Sequence, residues 1–170
     1  MFLTRNTETL VALLTASTLL LFAANALALP SDRIEKLHIK ADSSIYNYKQ
    51  GINYFEGNVK VDQGSTHVTA DRLTTKSNSK HQVEEAIAYG VKKLAHFWTT
   101  PKPGQQIINA EAKIIKFYPQ VLNATLQGNV VVTQGHDNFH GQLIHYNMSE
   151  QTITVPETKN GRAVLVYNPN

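Results

Sequence analysis

The side chains able to catalyse or to hold a metal are few in this sequence, and their spacing keeps them apart. Of seven histidines, His136, His140 and His145 lie close together along the chain. Successive side chains of a strand alternate faces, so His140 and His145, five apart, are expected on opposite sides. No carboxylate that would orient an imidazole ligand is obvious, so no metal site is expected. Glu84 and Glu85 are neighbours, which on a strand turns their carboxylates away from each other. The chain has no G-x-S-x-G turn, no phosphate-binding glycine loop and no cysteine. Acid–base and nucleophilic catalysis need convergent groups, which this pattern does not supply. The chain is read as a non-enzyme without a cofactor.

The strongest pattern is apolar, and it occurs twice. Gly57-Asn58-Val59-Lys60-Val61-Asp62-Gln63-Gly64 and Gly128-Asn129-Val130-Val131-Val132-Thr133-Gln134-Gly135 both read G-N-V-x-V-x-Q-G, 71 residues apart. Valines alternating with mostly polar positions are the period-two signature of a strand with one buried face. Val59 and Val61 therefore share a face, as do Val130 and Val132. Upstream, Ala41-Asp42-Ser43-Ser44-Ile45-Tyr46 matches Ala110-Glu111-Ala112-Lys113-Ile114-Ile115. Downstream, Thr69-Ala70-Asp71-Arg72-Leu73 matches His140-Gly141-Gln142-Leu143-Ile144. Each unit reads strand, turn, G-N strand, glycine turn, strand. Such a unit cannot bury its apolar face alone, and the repeat implies stacking.

The remaining elements fit the same scheme. Leu37 to Asp42 alternates with Leu37, Ile39 and Ala41 on the inner face. Val83 to Tyr89 mixes helix-favouring Glu84, Glu85, Ala86 and Ala88 with Ile87 and Tyr89. Ending at Gly90, it is too short for a stable helix and is read as a strand. Pro101-Lys102-Pro103-Gly104 is a turn, and Pro119 marks a strand end or edge. Pro156 to Gly161 is a further turn before a last strand, Ala163 to Tyr167. Roughly a dozen short strands at near-regular spacing point to an all-β sandwich, roll or barrel.

The first 28 residues read as an export leader. Arg5 precedes an apolar run from Leu10 to Ala24, and Ala26-Leu27-Ala28 offers a small-x-small cleavage site. A retained membrane anchor is the rival reading, since the apolar stretch approaches the roughly 20 residues that span a bilayer. Cleavage after Ala28 leaves residues 29–170 as one domain, large enough for a proper core. Without cysteines, burial and hydrogen bonding alone hold it together. The formal charge of +3 is mild and the lysines are scattered. That lacks the dense basic stripe of a nucleic-acid binder, so no nucleic-acid partner is expected.

Two features carry competing readings. The alternating valines and isoleucines are either an ordinary core or the lining of a lipid groove, and periodicity does not separate the two. The first and last strands are either plain edges or sites for strand addition by a partner. Ala163 to Tyr167 carries neither proline nor charge, so it lacks the usual edge protection.

The ordered set Leu37-His38-Ile39-Lys40-Ala41-Asp42, the paired G-N-V-x-V-x-Q-G strands, Thr69-Ala70-Asp71, Tyr89-Gly90 and Ala95-His96-Phe97-Trp98, closing on Val164-Leu165-Val166, is specific. It resembles the OstA-like, LptA-type family of periplasmic lipopolysaccharide transport proteins over essentially the whole exported chain. The resemblance implies an open, twisted β-jelly roll whose apolar interior holds lipid A acyl chains. It implies partners in lipopolysaccharide, an inner-membrane LptC-type protein and an outer-membrane LptD-type protein, met by edge-strand pairing, with possible head-to-tail self-association. By that resemblance Leu37, Ile39, Phe97, Ile115 and Phe117 line the groove. The alternation adds Val59, Val61, Val130 and Val132. Leu37, His38 and Ile39 at one end, and Val164, Leu165 and Val166 at the other, would form the partner edges. A membrane-anchored LptC-type component, or an adaptor β-protein with a dry core, are the alternative readings.

Overall fold

The structure, a computed structural model, describes residues 35–101, 104–158 and 163–166. The expected leader and parts of the turns at 101–104 and 156–161 lie outside the described residues. The first half contains β1 (His38–Lys40), β2 (Ser43–Asn47), β3 (Ile52–Gln63), β4 (Thr66–Ser77), β5 (Val83–Tyr89) and β6 (Ala95–Thr99). The second contains β7 (Ile108–Ala112), β8 (Ile114–Tyr118), β9 (Asn123–Gln134), β10 (Asp137–Asn147), β11 (Thr152–Thr154) and β12 (Val164–Val166). No helix forms among the described residues, and none there could cross a membrane as a helix. β5 is a strand because β4 and β8 pair with it on both sides. That tertiary pairing outweighs the helix propensity of its glutamates and alanines.

The internal repeat is a structural one. β2, β3 and β4 begin at residues 43, 52 and 66; β8, β9 and β10 begin at 114, 123 and 137, each 71 later. Asp42 and Lys113 hold equivalent places between two short strands. Each donates its backbone N–H to the opposing glycine carbonyl, Gly57 or Gly128, at 2.9 Å. The upstream sequence match of Ala41 to Ala110 is therefore two residues out of register. Hydrogen bonding, rather than residue similarity, fixes the alignment there.

One antiparallel sheet contains all twelve strands of the described residues, and it folds over a corner. On β3, Gly57 and Asn58 together oppose Asp71 of β4; on β9, Gly128 and Asn129 oppose Gln142 of β10. These two-against-one bulges take positive φ at both residues: 80° and 46° in the first, 77° and 54° in the second. Glycine reaches that region freely and asparagine tolerates it, which explains the G-N pair. A bulge bends its strand and increases the local twist. The partner strand changes parity at the same place. On β4 the inner residues are Val68 and Ala70, then Leu73 and Thr75, so the inward face is kept beyond the bend.

The corner divides the sheet into two facing halves joined along the long strands. β2, β5, β8 and β11 build one half, and β1, β6, β7 and β12 the other. Side chains lock the bend. Asn58 Nδ2 donates to Asp42 Oδ2 at 2.8 Å. The Asp71 carboxylate accepts the backbone N–H groups of Lys92 (2.5 Å), Val91 (2.6 Å) and Lys93 (3.3 Å), tying the β5–β6 turn to the corner. These bonds, led by Lys92, outweigh desolvation and hold the Asp71 pKa below its ordinary value.

Gly90 sits where β5 leaves the corner, and a Cβ there would run into the Ala95 amide nitrogen and the Lys93 carbonyl. Both obstacles are backbone and cannot swing aside. Gly90→Ala is expected to lower stability by about 1–3 kcal/mol, the usual cost of forced overpacking. A urea-unfolding midpoint equal to the wild type's would contradict this.

Candidate functional site

Between the two half-sheets the inward side chains stack in layers. Nearest the corner, Val59, Ala70, Ala95, Ala112 and Val130 face Phe55, Leu73, Ala88, Ile115, Leu126 and Ile144. The middle layer sets the row Ile39, Val61, Val68, Phe97, Ala110, Val132, Phe139 against Asn53, Thr75, Ala86, Phe117, Ala124, Tyr146, Ile153. Farthest out are the turns whose two sets form the lips of a slit.

In the first half these layers do not meet. They enclose a cavity of about 570 Å³ that opens towards the slit. Its apolar wall includes Val61, Val68, Leu73, Ala88, Phe97, Ile115 and Phe117, and its mouth carries Gln63, Thr66, His81, Gln82 and Gln120. The room arises from side-chain size: Ala86 and Ala88 project where larger residues would close the gap. The Thr75 hydroxyl accepts a hydrogen bond from Asn53 Nδ2 at 3.0 Å. At the mouth, Asn78 Oδ1 accepts the Lys80 and Gln82 amides and fixes the turn that carries His81.

In the second half the same layers are filled. Ile108, Leu126, Ile144, Val130 and Val132 are at most 2 % exposed. Across the slit, Gln151 Nε2 in the β10–β11 turn donates to Gln105 Oε1 in the β6–β7 loop at 3.0 Å. The lips are hydrogen-bonded to each other there.

Matches to known proteins agree with this geometry. A family model described as LptA/(LptD N-terminal domain) LPS transport protein matches residues 38–152. The chain belongs to that family. It is 32 % identical over 148 residues to the lipopolysaccharide export system protein LptH of Pseudomonas aeruginosa, covering 87 % of this chain and 82 % of that one. It is 27 % identical over 158 residues to the lipopolysaccharide export system protein LptA of Escherichia coli K12, covering 93 % and 84 %. The crystal structure of the Pseudomonas LptH superposes with a TM-score of 0.76 at 26 % identity, covering 82 % of this chain and all of that one. The all-β jelly-roll architecture is thus shared with LptH.

On this LptA-type roll the residues singled out by sequence fall into two groups. Leu37, Ile39, Val61, Phe97, Ile115 and Phe117 converge on the cavity wall. Val59, Val130 and Val132 share the inward face but are packed into the core, away from the cavity. Alternation identifies the face and not the depth, so it cannot separate these two sets. Leu73, Ala86, Ala88 and Thr75 also line the cavity and escaped notice. Leu73 and Thr75 lie beyond the change of parity, and the alanines sit in a stretch with helix-favouring composition. At the edges, among the described residues, β1 pairs only with β3 and β12 only with β10, and Val164, Leu165 and Val166 are 48 %, 61 % and 44 % exposed.

The histidine expectation is corrected. His140 adjoins inward Phe139, while exposed His145 lies between buried Ile144 and Tyr146, so both point outward. The change of parity opposite the β9 bulge reverses the count of five. Among the described residues no group of three metal-ligating side chains converges. The outer face instead carries Trp98 stacked between His67 and His96, with ring centroids 5.0 and 4.7 Å away. The His67 ring nitrogen Nδ1 lies 2.6 Å from Asp62 Oδ1.

Tyr146 closes the filled half, and burial pushes its phenol up to about 12. The core accepts the neutral form, so this contribution to stability is intact below the ordinary value near 10. It is lost as pH rises through about 12. An ultraviolet titration of the folded protein should therefore show a tyrosine that ionises late, together with loss of structure. Tyr146→Phe should remove that late step; an unchanged titration curve would refute the assignment.

Proposed function

We propose that this chain is a periplasmic lipopolysaccharide carrier, not an enzyme. Its roll shields acyl chains while the glycan stays in water. The observation that carries this reading is the apolar cavity, open along a slit with a polar mouth. At about 570 Å³ the cavity falls within the size range of small-molecule binding sites. Each methylene removed from water contributes about 0.8 kcal/mol, so even one acyl chain gives a substantial affinity. The names of the relatives supply the cargo. An export leader at residues 1–28 would deliver the chain to the periplasm, where an LptC-type and an LptD-type protein would flank it.

The free edges support assembly by strand addition. Inside the chain, the first unit joins the second through β5 with β8 and β6 with β7. Shifted by one repeat, β7 and β8 correspond to β1 and β2. β11 and β12 hold the places of β5 and β6, because they pair with β10 as those pair with β4. A second copy, or a partner with the same roll, could therefore continue the sheet by repeating the internal junction. Ile45 and Tyr46 on β2 are 68 % and 41 % exposed. Their counterparts Lys116 and Phe117 are covered by β5.

Native mass spectrometry of the purified protein mixed with lipopolysaccharide should retain a lipid mass. Val61→Asp, checked for retained strand structure, should lose it. A lipid-free spectrum for the wild type, under conditions that load a known lipid carrier, would move the assignment to an adaptor with a dry core. Sedimentation velocity should show concentration-dependent association that Leu165→Asp reduces at least several-fold. Equal association by the variant would refute the proposed edge.

A further inference from the structure

The cavity ends abruptly halfway along the roll, and two aromatic rings stand at that point. Its wall draws on the first unit and β8 with the turn that follows, and no residue beyond Gln120 contributes. Phe97 projects from one half-sheet and Phe117 from the other, with ring centroids 6.4 Å apart and planes at 42°. On the cavity side their cross-strand neighbours are Val68 and Ala86. On the far side they are Ala110 and Ala124. Those two alanines, like Ala86 on the cavity side, are the small residues of the middle layer, and they lie buried at 4 % and 5 % exposure. The interior is thus narrowed by two rings immediately before a stretch floored by methyl groups.

We propose that Phe97 and Phe117 form an aromatic partition that sets how far an acyl chain entering the first half can run along the roll. The proposal rests on the carrier reading and adds the residues that determine chain length. With only alanine methyl groups as the rings' far-side cross-strand neighbours, removing a ring adds that ring's own volume to the cavity and leaves no bulky cross-strand neighbour in its place. Ring-to-ring contact across the two half-sheets also couples the partition to their separation, so a roll that spreads would part the rings. Aromatic pairs at this separation attract each other beyond their area burial, which favours the closed arrangement when the cavity is empty.

Chain-length selectivity tests this directly. Binding of decanoate, myristate and stearate to the purified protein can be measured by calorimetry or by displacement of an apolar fluorophore. In the wild type affinity should rise from decanoate to myristate and then level off. Each further methylene that finds apolar cover is worth about fourfold in affinity. Phe117→Ala should therefore raise the stearate-to-myristate affinity ratio by roughly tenfold or more. Adding Ala124→Leu, whose longer side chain reaches into the volume that the Phe117 ring vacates, should return the ratio towards the wild-type value. Should Phe117→Ala fail to fold, Phe117→Leu keeps an apolar side chain and should still raise the ratio, by less. Chains that bind with the same ratio in the wild type and the folded Phe117 variants would overturn the partition alone. No binding of any chain to the wild type would overturn the carrier reading, and the partition with it.

Discussion

The bend at the paired bulges is the constraint on which everything else depends. A single antiparallel sheet has one apolar face, and it can bury that face only against another layer or against itself. This chain uses the second route. Gly57-Asn58 and Gly128-Asn129 adopt left-handed backbone at equivalent points, and the strands opposite them change parity. Without that change, an inner face before the bend would become an outer face after it. The apolar rows would then end on opposite sides of the sheet. Asp42 and Asn58, Asp71 with the β5–β6 turn, and Gly90 are all arranged around that line. The Asp71 carboxylate satisfies the amides of the β5–β6 turn, and the Gly57 and Gly128 carbonyls in the bulges accept the Asp42 and Lys113 amides.

Given the bend, the interior is decided by side-chain size along the axis. The two units are built alike, yet one holds a cavity and the other is packed. At middle-layer position Thr75 the second unit carries Tyr146, and at Val68 it carries Phe139. These exchanges fill the second half, and the Gln105–Gln151 bond closes its lips. Repetition supplies the scaffold, and departures from it supply the site. The departures fall on inward positions, which leaves the strand pairing and the corner intact.

Much of this was legible in the sequence, and for identifiable reasons. The G-N-V-x-V-x-Q-G copies carried both the repeat and the inward valines, because strand alternation is local. The cavity's extent was not legible. Val59 and Val61 share a face, yet Val59 lies in the corner layer and Val61 reaches the cavity. Depth depends on which residues come to lie opposite, and that is set by the bend. Leu73, Thr75 and the outward His140 and His145 were misjudged or overlooked for the same reason: an uninterrupted count of two does not survive the parity change.

The repeat also says what an extended assembly would contain. Leu165 pairs with Phe139 as Phe97 pairs with Val68, so Leu165 stands in the place of Phe97. Tyr46, paired with Asn53, stands in the place of Phe117, paired with Ala124. A junction that copies the internal one would bring Leu165 of one roll opposite Tyr46 of the next. Each junction would then carry a narrowing like the Phe97–Phe117 pair, with one aromatic ring replaced by a leucine. A continuous stack would be a series of compartments separated by movable side chains, rather than a smooth channel. Lipid moving through it would advance by discrete steps, each requiring two inward side chains to part.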